Sequence, residues 1–189
     1  MANINSPSGL VPTRMIGGAP YSGGQSRYRV ASGTVLYQGD LCFQETAGTI
    51  GRHEAASTVP IIGVFNGCTY TDAAGELQWS NYKPAGFVAE ANVIDDPSVV
   101  FSVQADAAFP DTELFGNFDI VDGSPIGNDK TGTSNMSLAV STGATTATLP
   151  LKALDISGDP DNSDQAAAYA NILVVIQNHV FGVKSAGLA

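Results

Sequence analysis

Val99-Val100-Phe101-Ser102-Val103-Gln104-Ala105-Asp106 is the stretch that decides the fold class. Val99, Phe101, Val103 and Ala105 alternate with Val100, Ser102, Gln104 and Asp106, which is the two-residue period of a half-buried strand. The same alternation recurs in Met136, Leu138 and Val140 against Ser137, Ala139 and Ser141. It recurs again in Ala147, Leu149, Leu151 and Ala153 against Thr148, Pro150, Lys152 and Leu154. Pro150 has no N–H to give a ladder and is expected on a sheet edge. Further strands are expected at residues 27–31, 35–37, 40–45, 60–69, 76–82 and 87–94, with turn-forming Asp, Gly and Pro clusters between them. This spacing predicts an all-β chain, an antiparallel β-sandwich or small β-barrel. Helix is expected only at residues 164–171, where Asp164 offers an N-cap, and in a turn at residues 111–115.

Ile172, Leu173, Val174, Val175 and Ile176 are apolar without a break, so this strand is expected to be covered on both faces, by its own core and by something else, a cover that a second subunit could provide. Val174, Val175 and Ile176 are the subunit-interface candidates. Exposed on one side, such a strand would invite aggregation.

The 189 residues fit one domain with a real core. At 43% hydrophobic and only 14% charged, the chain is too apolar to be disordered, and its surface must be unusually neutral, which suits packing against other protein. Charge is also unevenly placed. Residues 1–39 hold Arg14, Arg27 and Arg29 and no acid, whereas the remainder carries 18 carboxylates against five bases, a formal −13. The first stretch is rich in Gly, Pro, Asn and Ser and has little periodic apolar content. Residues 1–30 are therefore expected as an extended N-terminal arm, cationic enough to dock on the acidic body of a neighbouring copy, and residues 31–189 as a single β-rich domain. The competing reading is an ordinary loose terminus.

A net charge of −10 and a pI near 4.3 argue against nucleic acid and against anionic membrane surfaces as partners, because both need Lys and Arg in number. No basic segment followed by an apolar core begins the chain, so no secretory leader is expected. No run approaches the roughly 20 apolar residues of a spanning helix. Cys42 and Cys68 are expected as buried free thiols of a cytosolically made protein.

Catalytic motifs are scarce. His53 and His179 match no metal-ligand spacing, no Gly-x-Ser-x-Gly elbow occurs, and residues 123–131 miss the phosphate-loop pattern in both glycine spacing and lysine position. Asp159, Asp161 and Ser163 copy the first three oxygens of a calcium loop, but Asp164 stands where the sharp-turn glycine belongs and no Glu closes the site, which makes this a weak calcium candidate. Neither enzymatic activity nor a cofactor is expected.

The opening Asn5-Ser6-Pro7-Ser8-Gly9-Leu10-Val11-Pro12-Thr13-Arg14, followed by Gly18-Ala19-Pro20-Tyr21 and Gly39-Asp40, resembles that of tailed-bacteriophage head decoration (capsid cement) proteins. So do residues 60–70, Asp95-Asp96-Pro97, residues 101–106 and residues 174–179, in the same order. The resemblance implies a structural virion protein on the outer capsid surface, made in the host cytoplasm. Its partners would be the major capsid protein and further copies of itself, as a homotrimer at local threefold junctions that stabilises the shell against internal DNA pressure. On that reading Leu10, Pro12, Arg14, Tyr21, Arg27 and Arg29 are the capsid- or subunit-binding residues of the arm, the arginines pairing with carboxylates and the tyrosine anchoring. The alternatives are a tail, neck or fibre-base component, or a carbohydrate-binding β-module with Trp79, Tyr70 and Tyr82 as a stacking platform.

Overall fold

The computed structural model describes residues 3–159, 162, 164, 167–182 and 187. The first half of the chain forms β1 (Val11–Met15), β2 (Ser26–Val30), β3 (Leu36–Tyr37), β4 (Leu41–Gln44), β5 (Ile50–Arg52), β6 (Ile61–Thr71), β7 (Leu77–Ser80), β8 (Tyr82–Lys83) and β9 (Ala89–Ile94). The second half forms β10 (Val99–Gln104), β11 (Asn117–Val121), β12 (Gly127–Asn128), β13 (Thr133–Ser134), β14 (Ser137–Ala144), β15 (Leu151–Ile156) and β16 (Asn171–Ile176). The all-β expectation holds, with no α-helix among the described residues.

Strands β4, β5, β2, β9 and β6 pair in that order, and β6 returns to β4, closing a five-stranded barrel. The pairs are antiparallel except for β2 with β5, joined in parallel at Val30 and Ile50. β6 makes the closure possible because it is eleven residues long: its first half pairs with β4 and its second half with β7 on the same side. Register shifts opposite Cys42/Phe43 and between Phe65 and Cys68 bend it at these corners. Gly67 serves the second, at φ 96° with Ser80 O 3.2 Å from where a Cβ would stand. Val30, Leu36, Cys42, Ile50, Ile62, Phe65, Cys68 and Val93 fill the barrel.

The other large sheet runs β1-β10-β16-β15-β11-β14, all antiparallel. It curls until the residues after β10 meet β14 through a parallel bridge, Ala105 to Leu138, supported by Asp106 N–H donating to Leu138 O at 3.0 Å. Phe101, Val103, Phe118, Ile120, Leu138, Leu151, Ile172 and Val174 share its core with Leu41, Ile61, Val64 and Ile94 of the barrel, so the two bodies pack on one apolar seam. The stretch 99–106 forms β10, with Val99, Phe101, Val103 and Ala105 inward as expected.

Residues 1–30 contain two strands that belong to these sheets. β1 lies along β10 and β2 along β9, so residues 11–30 run antiparallel beside residues 89–102 and bridge both bodies. Ten residues, 16–25, face only four, 95–98, and bulge outward as a Gly-rich loop at the waist. The segment before β1 also lies on its own body. Leu10 is 2% exposed in the shared core, and the Gln104 side chain donates to Ile4 O (3.0 Å) and accepts from Ser6 N–H (2.9 Å). The expected free arm is thus a strap on its own chain.

Other expectations change in detail. The alternation at residues 147–154 becomes a strand only from Leu151. Pro150 precedes the ladder, where its missing N–H breaks no strand bond, and its carbonyl accepts from Gln177 N–H at 2.7 Å. The expected helix includes residues outside the described ones, but residues 167–169 form a bend and turn, Tyr169 has φ 67°, and Asn171 already opens β16. The turn at 111–115 is a 3-10 turn, Asp111–Glu113.

Candidate interaction surface

The buried polar groups are structural before they are anything else. Asp40 is fully buried, receiving the Ser134 hydroxyl at 2.6 Å and the Tyr37 amide at 2.8 Å, with the Arg52 guanidinium 3.2 Å away. Burial pushes its carboxyl up, and Arg52, Ser134 and Tyr37 hold it back. Arg52 also reaches Asp122 at 2.5 Å, and Asp122 and Asp119 accept the amides of Ala55 and Ala56, so the barrel is tied to β11 by charge-assisted bonds. Lys83 is buried too. Its ammonium donates to the carbonyls of Ala31 (2.7 Å), Ser32 (2.9 Å) and Thr34 (2.6 Å), closing the β2–β3 connection.

The histidines and cysteines are walled in. His53 is fully buried with neither ring nitrogen hydrogen-bonded among the described residues, and burial lowers its pKa against the pull of Asp119 and Asp122. His179 accepts from Phe181 N–H through Nδ1. Cys42 and Cys68 are free and buried in the barrel core; burial pushes the Cys68 thiol up to about 11 and Cys42 well above its ordinary value. Among the described residues no three metal-ligating side chains come together. Of the calcium candidate, Asp161 and Ser163 lie outside the described residues and Asp159 is exposed. The turn there is organised by buried Asn162, whose side chain donates to Ser157 O at 2.8 Å and accepts from Asn171 N–H at 2.8 Å.

The arm candidates are scattered. Leu10 is core, Pro12 and Arg14 are half-buried on β1, and Tyr21 sits in the waist loop donating to Gly24 O, its hydroxyl pKa raised by burial and by Asp95 and Asp96. Arg27 and Arg29 are exposed on β2, and the Arg27 to Glu90 contact of 3.8 Å is a solvated one. The subunit-interface candidates need correction. Val174 (0%) and Ile176 (6%) lie in the protein's own core and Val175 is only 8% exposed within the monomer, while the edges of β16 are taken up by β10 and β15. None is placed to meet a partner.

Three of the exposed apolar side chains share one wall of the barrel, while Ile4, Val11, Ile16, Val59, Phe115 and Phe181 are exposed elsewhere. On β7, Leu77 is 76% and Trp79 65% exposed, and by alternation they share one face. Trp79 stands opposite Thr69 and Leu77 opposite Thr71 on β6. Thr69 in turn faces Glu90 on β9, and Glu90 faces Arg29 on β2. Val88, the exposed residue before β9, continues the Leu77 row one step past the Tyr70 to Ala89 pair. The outer barrel wall is thus a ledge of Leu77, Trp79 and Val88, with Thr, Glu90, Arg27 and Arg29 beyond it. Tyr70 and Tyr82 do not join Trp79: Tyr70 stacks on Phe87 at 5.2 Å and Tyr82 on Tyr37 at 5.7 Å. Sequence reasoning named Trp79 only as part of that platform and missed Leu77 and Val88, whose exposure depends on which wall of the barrel is left uncovered.

Comparison with protein-family models, with characterised proteins and with solved structures finds no match to this chain.

Proposed function

We propose that this protein is a non-enzymatic structural component of a phage virion that binds the outer surface of the capsid and stabilises the shell against internal DNA pressure. Its partners on this reading are the major capsid protein and further copies of itself, three to a site as the sequence resemblance implies. The observation that carries the reading is the pairing of a weakly charged, wholly β chain with an uncovered apolar ledge at Leu77, Trp79 and Val88, while the histidines and cysteines are built into its interior. Large neutral surfaces bind protein without desolvating charge, and a cement needs such contacts in number. The −10 net charge supports a protein partner over DNA. Heating expanded heads with and without added protein tests the reading. The protein is expected to raise the temperature at which heads release their DNA, and an unchanged release temperature would count against it.

A further inference from the structure

The β7 edge is a sheet left open. In the barrel sheet it is the terminal strand, and among the described residues nothing pairs with its outer side. The other sheet's edges are dressed: β1 carries Pro12 and is bridged from Arg14 to Pro20, and β14 is met by the Ala105 bridge. Natural edges are commonly protected by charge or proline, and Leu77-Gln78-Trp79-Ser80 has neither.

We propose that β7 pairs with β7 of a second copy of this chain, antiparallel about a two-fold axis at Gln78. Residues facing each other across an antiparallel pair lie on the same side of the sheet, so a register that keeps both ledges on one side must join residues of equal parity. Gln78 opposite Gln78 of the second copy satisfies this. It sets Leu77 against Trp79 of the second copy and Trp79 against its Leu77, two aliphatic–aromatic cross-strand pairs. The charges agree. The strand is neutral in a chain of −10, and the nearest acid, Glu76, falls opposite Ser80 of the second copy, not opposite another acid. Asp72, the other acid of the hairpin, is engaged at its own turn, accepting from Ala74 N–H, Glu76 N–H and the Gln78 side chain. The contact is isologous, so it closes on itself. It concerns the free protein and is separate from the three-to-a-site arrangement on the capsid, which a closed two-fold contact does not build.

The test is the mass of the free protein by sedimentation, with the emission of Trp79, the chain's one tryptophan, followed over the same concentrations. Wild-type protein is expected to reach twice the mass of Leu77→Lys, and its emission to shift to the blue with concentration while that of the variant does not. Equal masses overturn the proposal, as does a doubled mass reached with no shift in Trp79 emission. Gln78→Cys covers the case in which Leu77→Lys does not fold: with Cys42 and Cys68 buried, mild oxidation is expected to link two copies through residue 78, and the absence of that link contradicts the register.

Discussion

Lys83 and His53 show how much of this molecule's polar chemistry holds the fold. The Lys83 ammonium donates to three backbone carbonyls at 2.6 to 2.9 Å, and Lys83→Met removes all three bonds: Ala31 O and Ser32 O keep the N–H groups of Thr34 and Gly86, while Thr34 O loses its ammonium donor. A loss of about 2–4 kcal/mol is expected in urea unfolding, and a loss below about 0.5 kcal/mol would contradict this role. His53 makes stability depend on pH. Its folded pKa lies below the ordinary 6.5 because burial disfavours the imidazolium, and that of His179 is lowered for the same reason. Below about pH 6.5 the unfolded chain therefore binds protons that the folded one does not, and stability present above that pH is lost as pH falls toward the lowered folded values. The urea midpoint should drop between about pH 7.5 and pH 5.5, and less steeply in His53→Gln. A midpoint flat across that range would contradict the burial argument. Neither residue was legible in the sequence. Lys83 looked like one of five bases, and His53 had no motif, because both roles depend on carbonyls and walls brought from elsewhere in the chain.

At the scale of elements, strands that pack one face inward were readable and strands that break the alternation were not. β10 and β14 show the period because one side of each lies on the core. β11 escaped because its polar Asn117 and Asp119 are buried, Asp119 taking the amides of Ala56 and Ile120. β1 escaped because Pro12 and the surrounding glycines look like loop, yet its register with β10 and the Leu10 plug make it part of the body. At Gly9, φ is 68° and Gly39 O would lie 2.6 Å from a Cβ, a crossing that only glycine allows. Leu10→Ala is expected to cost about 2–4 kcal/mol and to raise amide exchange along Val11–Met15. Unchanged exchange there would show that the strap is held by its edge pairing alone. The run at residues 172–176 is covered fully on one face only: Ile172, Val174 and Ile176 lie in the chain's own core, whereas on the other face Leu173 is half-buried and Val175 is 8% exposed, and the partner contact proposed above lies on the opposite body, at β7.

For the whole molecule, the barrel and the curled sheet share an apolar seam, a strap and an Arg52 network, which favours a stiff unit over two loosely joined domains. Its surface is sparing in charge, its acids are concentrated after residue 39, and its open apolar ledge lies on one wall. The fold class followed from periodicity, but the candidate surface did not, since exposure belongs to the assembled barrel and not to any local pattern. We propose that this surface serves attachment to a capsid. The most direct test is to titrate the purified protein onto expanded heads lacking it and count bound copies at saturation by cryo-electron microscopy. Saturation at three copies per local threefold site is the expected result; binding confined to the tail vertex, or no binding, would contradict it.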